Sequence, residues 1–294
     1  MMIISTIQKF SLFLLSFFSL SITHKIAFFL SKIFFTKNSK KYHVTYKNLK
    51  VCFPNKSEAW YLDKTKESLV EYAKSMLETP YVYRQSQKNF NRLINKVYFE
   101  NLIHDALGEK KGVIFMTPHH GSWETSGLYA ASKIKTFTMY KPLRNKILDE
   151  FVFKGRQTMG SSLVETDNSG VKRLLKALRE NFGVGILPDH TPKINQGIMS
   201  TFYDVPVNTT TLIYKLGKKN KVPIIYLFSE RLTSSNGFNI LVGRIDNNFY
   251  DLNEKDAADF LNKIIEQLVD QKISQYLWSY ERFRNRTGVE ETIY

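Results

Sequence analysis

Hydrophobic positions along the chain fall into three successive patterns. From Phe10 to His24 runs an uncharged stretch, FSLFLLSFFSLSITH, followed after Lys25 by IAFFLSKIFF. Those 15 residues alone are short of the roughly 20 that span a hydrocarbon core. With Lys9 snorkelling, residues 2–24 reach that length. A helix lying in the membrane interface fits the same pattern, and a buried amphipathic helix is the soluble rival. A cleaved signal peptide is disfavoured, because no small-x-small site follows the apolar run. We therefore expect residues 1–35 to be a hydrophobic anchor helix. Next, over roughly 57–95, Leu62, Leu69, Tyr72, Met76 and Leu77 recur at helical spacing. From Gly112 onward, short apolar runs alternate with helical stretches. The runs are Val113–Thr117, Thr136–Tyr140, Ser162–Glu165, Gly183–Leu187, Pro223–Phe228 and Phe238–Val242. The intervening helices are expected at about 122–133, 145–159, 168–181, 208–220 and 254–275, with Asp167/Asn168 and Asn208 as starts for the third and fourth.

Strands separated by helices of this length predict an α/β fold, a layered domain with a mostly parallel central sheet flanked by helices. No repeat or Pro/Gly-rich linker interrupts it, so residues 36–294 read as one domain behind the anchor. The content of 22 Phe and 16 Tyr supports a sizeable core and excludes wholesale disorder. Cys52 is the only cysteine, which excludes an internal disulfide framework and a cysteine-based zinc cluster. The net charge is +15, and residues 1–57 carry nine lysines with no Asp, Glu or Arg. Lysines beside an apolar anchor suit an anionic leaflet and place the body on the cytoplasmic side. Charge alone also fits an acidic protein partner or nucleic acid.

The stretch Val113-Ile-Phe-Met-Thr-Pro-His-His-Gly-Ser-Trp-Glu124 carries the chemistry. A buried strand runs into two histidines, a glycine and a helix start, which faces side chains into the crevice where such sheets bind ligands. With His119 in the loop and Glu124 in the first helical turn, the carboxylate can fold back toward the imidazole. A histidine of reference pKa about 6.5 can take a proton from an attacking hydroxyl at neutral pH, and a carboxylate on the other ring nitrogen fixes its tautomer. A capping carboxylate beside a structural histidine has the same spacing. No Gly-x-Ser-x-Gly elbow is present, which favours direct transfer over a covalent acyl-enzyme. His120, Asp189 and His190 lack the spacing of a metal helix motif, so no metal is expected.

The stretch resembles the late (secondary) acyltransferases of bacterial lipid A biosynthesis, of the lauroyl/myristoyl transferase type, within the wider His-x4-Asp/Glu lysophospholipid acyltransferase superfamily. The family pattern is commonly His-Phe-Gly-Asn-Trp-Glu; here it is His119-His120-Gly121-Ser122-Trp123-Glu124. Further similarities follow in order: Asn48-Leu49 with Phe53-Pro54, Tyr140-Lys141-Pro142 with Asn145, Arg156, Gly185-Ile-Leu-Pro-Asp189, Phe202 with Pro206-Val207-Asn208-Thr209, and Tyr276-Leu277-Trp278 with Arg282-Phe283-Arg284. His120, His190, Tyr203-Asp204 and Tyr280-Glu281 depart from the pattern around substrate loops, which bears on acceptor and acyl chain.

The resemblance implies a membrane acyltransferase that uses no cofactor. It would take an acyl chain from acyl carrier protein to a lipid A precursor, at the hydroxyl of a 3-hydroxyacyl chain, on the cytoplasmic side of the inner membrane. His119 is the expected base and Glu124 its orienter. Arg156 would meet the carbonyl oxyanion or a substrate phosphate, and Lys141 and Arg144 a phosphate. Asp189 would orient loops or substrate. Three rivals are an acyltransferase for another lysophospholipid or glycolipid, a membrane-tethered nucleic-acid-binding protein, and a catalytically dead scaffold.

Overall fold

The N-terminal apolar run is broken in the middle. In the computed structural model, which describes residues 2–85, 87–194, 196–289 and 292–294, it folds as α1 (Met2–Leu15) and α2 (Leu20–Phe34). Serines make the break. The Ser16 hydroxyl donates to the Phe13 carbonyl (2.6 Å), and Ser19 Oγ caps α2 by accepting from the Ile22 amide (3.4 Å). Hydroxyls that bond nearby backbone favour caps over helix interiors. Among the described residues no helix is long and apolar enough to cross a membrane. The expected single anchor helix is therefore not formed.

The polarity of α2 is also the reverse of a core helix. Its buried stripe is Leu20, Thr23, His24, Ala27 and Ser31, which packs on α4 (Glu58–Arg84), while Ile22, Phe28, Phe29, Ile33 and Phe34 are exposed. Between them lies α3 (Lys40–Cys52); Ser39 and Ser57 cap α3 and α4. The helical region expected over roughly 57–95 is α4, then α5 (Gln87–Leu93), and its end runs into a strand, β1 (Ile94–Tyr98).

After α6 (Asn101–Gly108) come β2 (Val113–Met116), α7 (Trp123–Lys133), β3 (Thr136–Tyr140), α8 (Lys146–Arg156), β4 (Ser162–Glu165), α9 (Asn168–Arg179) and β5 (Gly183–Ile186). A small hairpin, β6 (Ile198–Phe202) and β7 (Val205–Thr209), precedes α10 (Leu212–Gly217), β8 (Ile224–Arg231), β9 (Phe238–Ile245) and α11 (Glu254–Gln271). The seven-stranded sheet has the order β1-β9-β8-β2-β5-β3-β4. Its pairs are parallel except the β8–β9 hairpin, which turns β9 and β1 against the rest. All of β2 is buried because helices cover both faces. Val113 and Phe115 join the core under α7, and Ile114 and Met116 the core under α9.

Asp167 caps α9 as expected, its Oδ1 accepting from the amides of Ser169 (2.9 Å) and Gly170 (3.0 Å). Asn208 starts no helix. It lies in β7, its amide side chain donating to the Gln196 carbonyl (3.1 Å), and its own carbonyl accepts from buried Arg282 (2.9 Å). An asparagine read as a cap thus ties β7 to the loop that precedes β6.

Candidate active site

β2 and β5 are parallel neighbours with Met116 opposite Ile186. His119 and Asp189 each lie three residues beyond that last pair, so the register itself sets them side by side at the carboxyl edge of the sheet. The loop between β2 and α7 is stitched in place from three sides. The Thr117 amide donates to Ile186 O (3.0 Å), the Gly121 amide to Gln275 O (3.0 Å), and the Ser122 amide to Ser229 O (2.8 Å), while His119 O accepts from the Leu277 amide (2.9 Å). Gly121 has φ +62°, and a Cβ there would stand 2.0 Å from Ser229 O. Only glycine lets the loop approach β8 this closely.

Asp189 grips His119 with both oxygens. Oδ1 accepts from ring Nδ1 (2.8 Å) and Oδ2 from the His119 amide (2.9 Å). Burial by itself would raise the Asp189 pKa, but the His119 ring and these two bonds outweigh it and hold the carboxyl well below the ordinary range. Asp189 is therefore charged and Nδ1 carries the proton. Nε2 is left with its lone pair and makes no hydrogen bond among the described residues. The His119 side chain is 14% exposed, packed edge-on to Trp123 (5.4 Å between ring centres) and to His190 (4.7 Å).

Glu124 is placed otherwise than the sequence suggests. Its carboxylate does not hydrogen-bond the imidazole; it is taken by Arg156, at the end of α8, through a two-pronged pair (Nη2 to Oε1, 2.6 Å; Nε to Oε2, 3.0 Å). Tyr83 Oη on α4 donates to Oε2 (2.5 Å) and Trp123 Nε1 to Oε1 (3.2 Å). The guanidinium fork matches a carboxylate better than one imidazole N–H does. Burial opposes the charged form of Glu124, but Arg156 prevails and lowers its pKa; Arg156 is raised in turn by Glu124 against its own burial. His119 remains close enough to contribute to that lowering.

Lys141 and Arg144 lie on the loop leaving β3, at the same sheet edge, exposed and without a carboxylate partner among the described residues. His120 belongs to the core. It stacks on Phe228 (4.0 Å between ring centres, planes 8° apart) and its Nε2 donates to Lys272 O (3.0 Å). Burial pushes its pKa down to about 4, so it is neutral and aromatic in function. Tyr203 and Asp204 form the β6–β7 turn with φ of +50° and +61°, and the Tyr203 amide donates to Glu266 on α11 (2.7 Å).

Tyr83 and a second polar cluster beside the loop lie outside the residues expected at the site. Buried Arg231, at the end of β8, donates to Glu78 (2.6 and 2.7 Å), Glu71 (2.7 Å), Ser75 (2.8 Å) and the Gly121 carbonyl (3.2 Å). His24 of α2 meets Glu78 through Nε2 (2.8 Å). The spacing of Glu71 and Glu78, two turns apart on one helix face, was the available hint.

Two hollows adjoin the site. A narrow slot of about 50 Å³ lies between α7 and the sheet, bordered by Thr117, Glu124, Gly127, Thr138, Arg156 and Gly185. A wider groove of about 480 Å³ runs between α1, α4 and α8, past Phe13, Arg84, Phe151 and Lys154, and reaches Tyr83.

The sequence matches the family described as bacterial lipid A biosynthesis acyltransferase over residues 2–285. It is 22% identical to the lipid A biosynthesis palmitoleoyltransferase of Escherichia coli (strain K12) over 249 residues, 84% of this chain and 80% of that protein. It is 20% identical to the lipid A biosynthesis lauroyltransferase of the same organism over 244 residues, 83% and 79% of the two chains. A lipid A biosynthesis acyltransferase of Haemophilus influenzae is 24% identical over 244 residues, 82% and 76%.

Proposed function

The chain belongs to the bacterial lipid A biosynthesis acyltransferase family, and on that basis we propose that it moves a fatty acyl chain from the thioester of acyl carrier protein to a hydroxyl of a lipid A precursor. The observation that supports this reading is His119, whose Nδ1 is held by a charged Asp189 while Nε2 has no hydrogen-bond partner among the described residues. Nε2 takes the proton of the acceptor hydroxyl. The oxygen attacks the thioester carbonyl, a C–O bond forms, the C–S bond breaks, and the departing thiolate recovers the proton from the imidazolium. Asp189 fixes the tautomer and balances the imidazolium charge. Glu124 adds negative charge near the ring and positions Arg156, whose Nη1 makes no hydrogen bond among the described residues and serves the carbonyl oxygen or a phosphate.

Lys141 and Arg144 are the candidate phosphate contacts. The wide groove, lined by apolar side chains together with Lys9, Arg84, Lys154 and Glu150, which pairs with both lysines, suits the acceptor's own acyl chains. Residues 1–35 act as the membrane-docking element and 36–294 as the acyltransferase domain. Instead of spanning, α1 and α2 would lie in the cytoplasmic face of the inner membrane, with Phe10, Phe17, Phe29 and Ile33 in the acyl boundary and the lysines at the anionic headgroups.

The test is mass spectrometry of a detergent reaction containing the protein, mixed acyl-acyl carrier proteins and a tetra-acylated lipid A precursor, beside His119→Ala. A gain of one acyl chain that the variant lacks is the expected result. Thioester hydrolysis that needs His119, without such a gain, would favour another glycolipid or lysophospholipid acceptor, in line with His190 beside the base. Absence of both in folded protein would refute the enzymatic assignment of His119.

A further inference from the structure

Gly121 is the freest point of the loop that carries the base. It has no side chain to anchor it, its φ is +62°, and it lies two residues from His119. Its N–H and C=O are nevertheless both taken. Residues 119–121 meet 275–277 around an isolated antiparallel bridge, with His120 opposite Tyr276. There the Gly121 amide donates to Gln275 O (3.0 Å) and the Leu277 amide to His119 O (2.9 Å). The Gly121 carbonyl accepts from Arg231 Nη2 (3.2 Å). Gln275 in turn reaches back to Arg231: its Oε1 accepts from the Arg231 amide (2.9 Å) and its Nε2 donates to the Arg231 carbonyl (2.8 Å). Gly121, Gln275 and Arg231 thus close a ring of hydrogen bonds behind the base.

The guanidinium in that ring is itself immobile. Its side chain is 1% exposed; Glu78 takes it through both oxygens (2.6 and 2.7 Å) and Glu71 through one (2.7 Å). Each carboxylate has a further partner, Lys74 for Glu71 (2.6 Å) and His24 of α2 for Glu78 (2.8 Å). Burial opposes the arginine's charge, but the two glutamates prevail and raise its pKa. Ser75 of α4 accepts from Nη2 (2.8 Å), and its hydroxyl lies 3.2 Å from the Gly121 carbonyl and 3.1 Å from that of Glu71. Two carboxylates already meet the charge, so the Gly121 carbonyl is a contact that ion pairing does not require.

We propose that Arg231 is a positioning residue for the base: with Gln275 it locks Gly121, and through that peptide it holds the His119 ring where the acceptor hydroxyl needs it. This rests on the acyl-transfer reading above. Misplacing a reacting group by about 1 Å costs on the order of 10²-fold in rate, and a hold on the backbone two residues away controls shifts of that size.

The experiment uses the full chain in detergent. Arg231→Lys keeps the charge and loses the fork. Ser75→Ala and Gln275→Ala are milder, each deleting side-chain bonds to Arg231 without removing a charge. Ser200→Ala, which removes a comparably buried hydroxyl from β6, is the control. Circular dichroism and thermal unfolding verify folding, and kcat and KM come from product mass. Hydrogen–deuterium exchange is read on the peptide spanning 117–123 and, for comparison, on 183–187 in β5. We expect kcat to fall about 10²-fold in Arg231→Lys and about tenfold in the milder variants, with KM for thioester and acceptor within about twofold. Exchange over 117–123 should quicken by at least about fivefold while 183–187 is unchanged. Ser200→Ala should move none of these. If Arg231→Lys fails to fold, Ser75→Ala and Gln275→Ala decide the matter. If wild type makes no product but the local exchange difference persists, the acyl-transfer reading fails and the lock on the loop stands. With an active wild type, unchanged kcat or unchanged exchange in the folded variants overturns the proposal, and so does exchange that quickens equally over 183–187.

Discussion

Replacing Asp189 by asparagine tests the base assignment at the level of a single proton. Asparagine is isosteric, but only one of its two terminal atoms accepts. The His119 amide and the His119 ring are bound by different oxygens of Asp189, at 2.9 and 2.8 Å. If the asparagine oxygen keeps the amide, its NH₂ donates to Nδ1, the ring proton moves to Nε2, and the lone pair is lost from the substrate side. The opposite rotamer leaves the His119 amide facing an NH₂, an unsatisfied donor costing about 1–3 kcal/mol. That alone biases the ring toward the wrong tautomer by about five- to 150-fold. Losing the charged partner of the imidazolium removes a further interaction of about 1.5–3 kcal/mol. Together kcat should fall on the order of 10²–10⁴-fold, with KM little changed; the loss known for the analogous change in serine proteases is about 10⁴. Initial rates by product mass across pH, with circular dichroism to verify folding, make the measurement. Activity within threefold of wild type would refute Asp189 as the tautomer-setting group.

Three further outcomes follow from the same geometry. Glu78 is held at about 2 against a usual 4.5; burial would raise it, and Arg231 with His24 overrides that. A depressed carboxylate stabilises the fold above its unfolded pKa, so on the order of 3 kcal/mol should be lost as pH falls from about 4.5 to 2. Urea unfolding should show that slope in wild type and a flatter one in Glu78→Gln. Gly121→Ala places a Cβ 2.0 Å from Ser229 O at φ +62°; a destabilisation of about 2–5 kcal/mol and loss of turnover are expected by denaturant titration and product mass. His120→Phe keeps the stack on Phe228; it gives up the Nε2 hydrogen bond to Lys272 O, and this is offset by removing buried Nδ1, which has no hydrogen-bond partner among the described residues. Stability within about 1 kcal/mol and near-normal turnover are expected there, in contrast to His119→Ala.

What the sequence made legible is what local spacing encodes. The runs at 113–117, 136–140, 162–165 and 183–187 became parallel strands, and the Asp167 cap sits where its side chain predicts. β1 was missed because Ile94–Tyr98 is an edge strand with exposed Asn95 and Lys96, so it shows no buried run. The N-terminal helices misled through polarity. Thr23 and Ser31 are buried with their hydroxyls donating to the nearby carbonyls of Ser19 and Phe28, and His24 is buried against Glu78 of α4, while the phenylalanines face out. No periodicity rule distinguishes an aromatic face that meets a core from one left exposed. The misassigned carboxylate has a similar origin. Glu124 is five residues from His119, Asp189 seventy, and only the β2–β5 register brings the distant one closer.

That exchange of partners follows from charge. Arg156 is partly buried and cannot shed its proton, so a carboxylate has to accompany it or the pair's desolvation goes uncompensated. Glu124, in the first turn of α7 with Tyr83 and Trp123 donating to it, is shaped for that guanidinium. Were Glu124 instead to swing to the imidazole, Arg156 would lose both charge-assisted bonds and Nδ1 would have two carboxylates competing for one proton. With Asp189 on the ring and Glu124 on the arginine, the site carries two negative charges and one positive before reaction. In the proposed mechanism a proton taken up at His119 Nε2 would bring the count to balance, on a ring whose Nδ1 lies 2.8 Å from Asp189 Oδ1. On that proposal the arrangement would meet the charge of acyl transfer where it is created, with Arg156 held in place by Glu124.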